Sequence, residues 1–375
     1  MGMTWYLNPL LQPALIAGAV AFVVALSIVL TQDWHGHLSI DSHEGIQKFH
    51  THPTPRIGGL AIAVGGLTAY FFASAGVQSL LWPLMLAGVP AFAFGLLEDV
   101  TKRVSVRTRL LATMFCGVLG WAITGFAITR ANVPGLDWAL GFTVVSVAFT
   151  AFAVGGVANA VNIIDGFNGL ASGTVIIVTG GFAAICFSVG DTDLAYVCIL
   201  LAGAVFGFLM VNWPFGKLFL GDGGAYFIGF ALAWIAVLML ARHPEVSAWA
   251  PLLVCGYPIL EVLFSIVRRR KRGLSPGDPD RLHLHSIVKK RLVRHLFPWA
   301  SNTVRNSITG STMWFAAAVP VFLATTFNRQ SIDLVISLFL CALLYSSVYA
   351  RLTQFRWCFT AATLNRARCH KLPTS

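Results

Sequence analysis

AFAVGGVANAVNIIDGFNGLASG, residues 151–173, is the stretch that decides the fold. An apolar run enters it, stops at a polar cluster holding Asn159, Asn162, Asp165 and Asn168, and a second apolar run departs at Leu170. The same design recurs along the chain. Glu98-Asp99 closes one apolar run, Gly221-Asp222-Gly223-Gly224 opens another, and His283-Leu284-His285 follows a third. Carboxylates, amides, glycines and imidazoles at the ends of apolar runs point to a phosphate-and-metal site at a water–lipid boundary.

Composition fixes the class. The chain has 375 residues, 57% hydrophobic and 11% charged, whereas a soluble domain carries about 25% charged residues. It has too little polar surface to cover itself in water. Runs of about 20 apolar residues span a bilayer core. About eleven such runs are readable, near 9–31, 57–76, 79–97, 108–128, 138–160, 170–189, 194–211, 225–241, 249–267, 310–327 and 332–350. Helices are expected, because an isolated strand in lipid leaves backbone groups unpaired. The fold class is therefore an all-α polytopic membrane protein. Residues 1–350 read as one multi-helix domain and 351–375 as a basic tail. The first apolar run lacks a basic leader and a small-residue cleavage site, so it reads as a retained span. The cysteines lie mostly inside apolar runs without a CxxC pair and read as small buried hydrophobes.

Charge then sets the orientation. If residues 32–56 face the cytoplasm, alternation places all Lys and Arg there except Arg130, Arg242 and Arg329, out of 26. That asymmetry follows the positive-inside rule. It predicts a periplasmic N-terminus, a cytoplasmic C-terminus, and all four polar clusters on the cytoplasmic face. No nucleic-acid partner is expected. Membrane lipid is, and a homodimer stays open.

Each cluster carries a chemical reading. In THPTPRIGG (51–59) the prolines stiffen the approach to the membrane, and Thr54 and Arg56 could bind phosphate oxygens. Glu98 and Asp99 need neutralising at a helix end, by Lys102, a divalent cation or a substrate network. Asn159, Asn162, Asp165 and Asn168 recur every three residues, a spacing that makes them helical neighbours. Asp222, flanked by glycines, could be a helix cap or a hard ligand for Mg²⁺. Arg281, His283 and His285 form a phosphate-binding group more readily than a zinc site. Glu261 lies inside a span, as a functional acid or a helix partner.

Taken together, THPTPRIGG, GLLEDVTK, NAVNIIDGFNGLASG, FLGDGGAYFIGF and SPGDPDRLHLHS resemble, in order and spacing, the polyprenyl-phosphate N-acetylhexosamine-1-phosphate transferases. The resemblance covers roughly residues 45–295. It implies transfer of a sugar 1-phosphate from a UDP-N-acetylhexosamine to undecaprenyl phosphate, with release of UMP, on the cytoplasmic face of a bacterial inner membrane. It implies Mg²⁺, with Mn²⁺ as the alternative ion. Asp99 would engage the lipid phosphate, Asp222 and Asp165 the metal, and the Asn159–Asn168 segment the nucleotide site. Arg281, His283 and His285 would contact the nucleotide sugar. Two positions depart from the pattern: Glu98 stands for an aspartate, and Asn168 for the second acid of DGxDGL. A metal role is therefore withheld from Asn168. The HLHS sequence is nearer the UDP-N-acetylhexosamine branch than the UDP-MurNAc-pentapeptide branch. A transporter, the reading from another class, calls for charge at mid-membrane, and here Glu261 alone fits that.

Overall fold

A computed structural model describes residues 11–41, 54–273 and 282–354. Its elements run α1 (Gln12–Leu30), α2 (Gln32–Ser39), β1 (Ile40–Asp41), β2 (Thr54–Pro55), α3 (Gly59–Tyr70), α4 (Ala75–Thr101), α5 (Val106–Thr124) and α6 (Leu136–Leu140). They continue with α7 (Thr143–Ile164), α8 (Leu170–Ser188), α9 (Thr192–Asn212), α10 (Gly221–Arg242), α11 (Trp249–Val254), α12 (Gly256–Lys271) and α13 (Leu284–Val288). A π turn (Lys289–Val293), α14 (Arg294–Leu296), α15 (Asn302–Thr326) and α16 (Ser331–Thr353) complete the chain.

Among the described residues, nine helices are long and apolar enough to cross a bilayer: α1, α4, α5, α7, α8, α9, α10, α15 and α16. Two of the eleven expected runs form no helix long enough to span. The run near 57–76 forms only the 12-residue α3, about 18 Å at 1.5 Å per residue, well short of a bilayer core of about 30 Å. The run near 249–267 is broken into α11 and α12 at Cys255. Pro258 explains the break: it has no N–H, and its ring would strike the carbonyl of Val254 in a continuous helix. The run near 138–160 begins later and ends later, so Asn159 and Asn162 lie inside α7. The cysteines described are all free and buried, as the apolar reading expects. The basic tail beyond residue 354 and Arg281 lie outside the described residues.

At the centre stands α10, packed against α4, α7, α3 and α8, with Tyr226, Phe230 and Trp234 buried. Helices pack in lipid by close approach rather than by hydrophobic drive, so small residues mark their seams. The α1–α9 seam is of this kind: Gly207 of α9 lies directly against the backbone of Gly18 in α1, where no Cβ fits.

The three basic residues on the minority side are each held by protein. Arg130 donates to the carbonyls of Leu240 (3.3 Å) and His243 (2.9 Å). Arg329 donates to the Ser188 carbonyl. Arg242 donates to Asp191 at 2.6 and 3.1 Å, and His243 lies 2.8 Å from the same carboxylate. Asp191 also caps α9 through Leu194 N–H. Burial pushes the Asp191 carboxyl up, but the bonds from Arg242, His243 and Leu194 outweigh it and hold it below the usual carboxylate range. The unfolded chain therefore takes the proton more readily, so this contribution is complete above the ordinary aspartate value of about 3.9 and vanishes as pH falls through the folded value. Asp191→Asn should lower the melting temperature in detergent at pH 7 and flatten its acid limb. An unchanged acid limb would remove Asp191 from the account.

Candidate active site

At the other end of the bundle, two distant segments are laced by backbone. Phe219 N–H donates to the Pro55 carbonyl, and Gly58 and Gly59 donate to Phe219 and Leu220, each at 2.9 Å. The lacing carries Arg56 to the start of α10. Thr54, buried in β2, pairs in register with Asp41.

The first N–H groups of a helix lack intrahelical partners. In α10 two of them go to Asp99: Asp222 N donates to Oδ1 and Gly223 N to Oδ2, both at 2.9 Å. A carboxylate at a helix N-terminus is favoured by the helix dipole and by charge-assisted bonds. Asp99 is only 1% exposed, so its reach is inward, to the helix that presents Asp222. Beside it, Lys102 takes a left-handed conformation (φ 56°) at the end of α4 and donates to the Asp99 carbonyl at 2.9 Å. Glu98 turns away and accepts from Val104 N at 2.7 Å, shaping the loop into α5.

Asp222 sits among cations and amides. Its Oδ1 accepts from Asn162 Nδ2 (3.0 Å) and Arg56 Nη2 (3.4 Å), while its Oδ2 pairs with Arg109. Arg56 also lies 3.7 Å from Asp99. Tyr226, one turn further along α10, donates to Asn162 Oδ1 at 3.4 Å and lies under the Arg109 guanidinium, 5.8 Å from ring centroid to carbon. Asp165 terminates α7. Burial pushes its carboxyl up to about 7, against the downward pull of Arg56 and of the Gly221 N–H. Asp99, Asp165 and Asp222 thus meet around Arg56, although they come from α4, the end of α7 and α10.

A second wall holds the histidines. His283 Nδ1 lies 3.1 Å from Glu261 Oε1, which also accepts from Leu284 N at 2.8 Å. His285 lies 4.0 Å from the other Glu261 oxygen and stacks on His283, with ring centroids 5.2 Å apart and planes at 7°. Phe167 meets His285 edge-on at 5.4 Å. The turn after Asp165 is therefore the hinge line between the acidic and histidine walls. Glu261, fully buried in α12, is thus a helix partner that ties down His283 and the start of α13.

The expected ladder of four Asx residues does not form one face. Asn159 donates to its own helix at the Gly155 carbonyl, and Asn162 faces Asp222. The helix ends at Ile164, so the three-residue period loses its meaning there. Asn168 is buried beneath the turn, donating to the Pro214 carbonyl and Ser307 Oγ. Two site residues went unnoticed in the sequence. Arg109 reads like any anchor at the mouth of a span. Tyr226 had a signal, its place four residues beyond Asp222 on one helix.

No group of three or more His, Cys, Asp or Glu forms a metal cage among the described residues. Mg²⁺ does not need one: it takes one or two carboxylates and completes its shell with phosphate and water. Asp165 and Asp222 supply hard oxygens of that kind.

Comparison with known proteins gives the family. The profile described as Glycosyl transferase family 4 matches residues 81–240. The chain is 31% identical over 336 residues to the decaprenyl-phosphate N-acetylglucosaminephosphotransferase of Mycobacterium leprae, covering 78% of this chain and 82% of that one. It is 25% identical over 250 residues to the undecaprenyl-phosphate alpha-N-acetylglucosaminyl 1-phosphate transferase of Yersinia pestis, covering 65% and 68%. The phospho-N-acetylmuramoyl-pentapeptide-transferase of Geobacillus kaustophilus matches at 33%, but over 49% of this chain and 61% of that one. With its matched core spanning Asp99, Asp165 and Asp222, the chain belongs to glycosyl transferase family 4.

Proposed function

We propose that the protein transfers an N-acetylhexosamine 1-phosphate from a UDP-sugar, UDP-GlcNAc in the first instance, to undecaprenyl phosphate at the cytoplasmic face of the inner membrane. One observation carries the reading: Arg56 from the first loop, Arg109 from α5 and Asn162 from α7 converge on the Asp222 carboxylate, with Asp99 bonded to its backbone, at one end of an apolar bundle. Such a place suits a lipid-borne phosphate meeting a soluble diphosphate. The GlcNAc-1-phosphate names of the relatives with the broader coverage support the donor class.

The acceptor phosphate has a second pKa of about 6 and is largely a dianion at neutral pH. It needs no strong base. Its oxygen forms the new bond to the sugar-bearing phosphorus, the bond from that phosphorus to the bridging oxygen breaks, and UMP leaves with the electron pair. The protein's task is to bring two polyanions together. Arg56 and Arg109 offset their repulsion, Asn162 and Tyr226 fix the Asp222 carboxylate, and the Glu261-bound histidines orient the nucleotide sugar. Asp165 and Asp222 would hold Mg²⁺, which when bound would neutralise diphosphate charge and stabilise the UMP leaving group. Asp99, with both oxygens engaged by backbone N–H groups, acts as a positioning residue rather than as a covalent nucleophile.

The test is UMP release from UDP-GlcNAc by purified membranes given undecaprenyl phosphate and Mg²⁺, with mass spectrometry of the lipid product. UMP should appear together with a lipid-linked sugar diphosphate. No UMP from any UDP-sugar would overturn the proposal. A sugar phosphate trapped on the enzyme without acceptor would overturn direct attack.

A further inference from the structure

Just past His285 the chain buries a cation. The π turn at Lys289–Val293 widens the helical path, a local device often found at functional sites. Lys289 is 7% exposed, and Arg269 is the one other Lys or Arg buried to this degree among the described residues. Lysines near a membrane surface ordinarily send their ammonium to water. The Lys289 ammonium instead stands 5.4 Å from the centre of Phe167, on the turn two residues after Asp165. The same ring meets His285 edge-on. Burial pulls the Lys289 amine down to about 8, and the neighbouring charges of Arg305 and Lys290 add to that pull. Like charges gathered in one place favour a polyanion beside them.

We propose that Lys289 is a substrate-contact residue whose ammonium binds a phosphate oxygen, in the donor's diphosphate, between the Asp165 turn and the histidine wall. The proposal rests on the transferase reading. The competing role is a purely structural staple on Phe167. Methionine distinguishes the two: it keeps an unbranched stem and a favourable contact with an aromatic ring, but carries no charge.

Two measurements on the purified full chain decide the matter. In the first, UDP is the probe, and its protection against thermal unfolding is compared in wild type, Lys289→Met and Lys289→Arg; no turnover is involved. In the second, the KM values for UDP-GlcNAc and for undecaprenyl phosphate are measured separately, with kcat. Loss of one charge-assisted hydrogen bond should raise the donor KM about tenfold or more in Lys289→Met, abolish most of the UDP protection, and leave the acceptor KM in place. Lys289→Arg should stay near wild type. A rise in the acceptor KM alone would assign the phosphate contact to the lipid instead. Unchanged KM values and UDP protection in Lys289→Met, or equal damage in Lys289→Arg and Lys289→Met, would overturn the proposal. If Lys289→Met does not yield folded protein, Lys289→Gln decides by the same criteria. UDP protection that depends on Lys289 in a wild-type protein releasing no UMP would keep the contact and reject the transferase reading.

Discussion

Asp222→Asn should reduce transfer by about 10³-fold, the scale of losing a preorganised electrostatic group in an active site. The substitution keeps the size of the side chain and leaves the two N–H bonds to Asp99 intact, because those come from backbone. What it removes is the negative charge between Arg56 and Arg109. Two guanidinium groups then face a neutral amide, and a hard anionic oxygen is lost from the proposed ion site. The Asn162 bond to Oδ1 survives if the new amide turns its oxygen that way. The expected protein is therefore inserted, monodisperse and inert. The measurement is the initial rate of UMP release against the amount of folded protein. Activity within tenfold of wild type would take Asp222 out of the reaction centre.

Gly221→Ala is the second large effect, and it acts through folding. Gly221 has φ +74°, a left-handed conformation that costs an L residue about 1–2 kcal/mol. A Cβ there would also lie directly on the Arg56 carbonyl oxygen and 2.6 Å from Asp99 Oδ2. Overpacking of this sort adds about 1–3 kcal/mol. The sum, roughly 2–5 kcal/mol, falls on the one junction where the first loop, α4 and α10 meet. The matched control is Gly125→Ala, at φ +75° with nothing within 4 Å of the new carbon. Gly221→Ala should melt well below Gly125→Ala in the same detergent and lose transfer activity. Equal melting temperatures would show that the junction yields without cost.

Much of the architecture was legible because lipid leaves few options. Apolar run length and the Lys/Arg asymmetry located the helices and gathered the polar clusters at one end. The misses have physical causes. The run at 249–267 reads as one span by hydropathy, and only the steric demand of Pro258 divides it. Asn168 shares the spacing of Asn159, Asn162 and Asp165, but spacing holds a face only while the helix lasts, and it stops at Ile164. Asp99 was legible as a candidate but not as inward-turned. Its partners are backbone N–H groups of α10, and backbone carries no residue-specific mark. Arg109 was hidden for the opposite reason: many arginines at helix mouths look alike, and the ion pair with Asp222 is a tertiary fact.

The bonds from Gly58 and Gly59 to Phe219 and Leu220 join stretches some 160 positions apart. A ribosome delivers the first stretch long before the second. While α4 to α9 enter the bilayer, Arg56 has no α10 to dock on, and Asp99 has no helix end to receive. The catalytic cleft can close only after the nascent protein has grown past Gly224, so every shorter translation product is an inserted but chemically silent membrane protein.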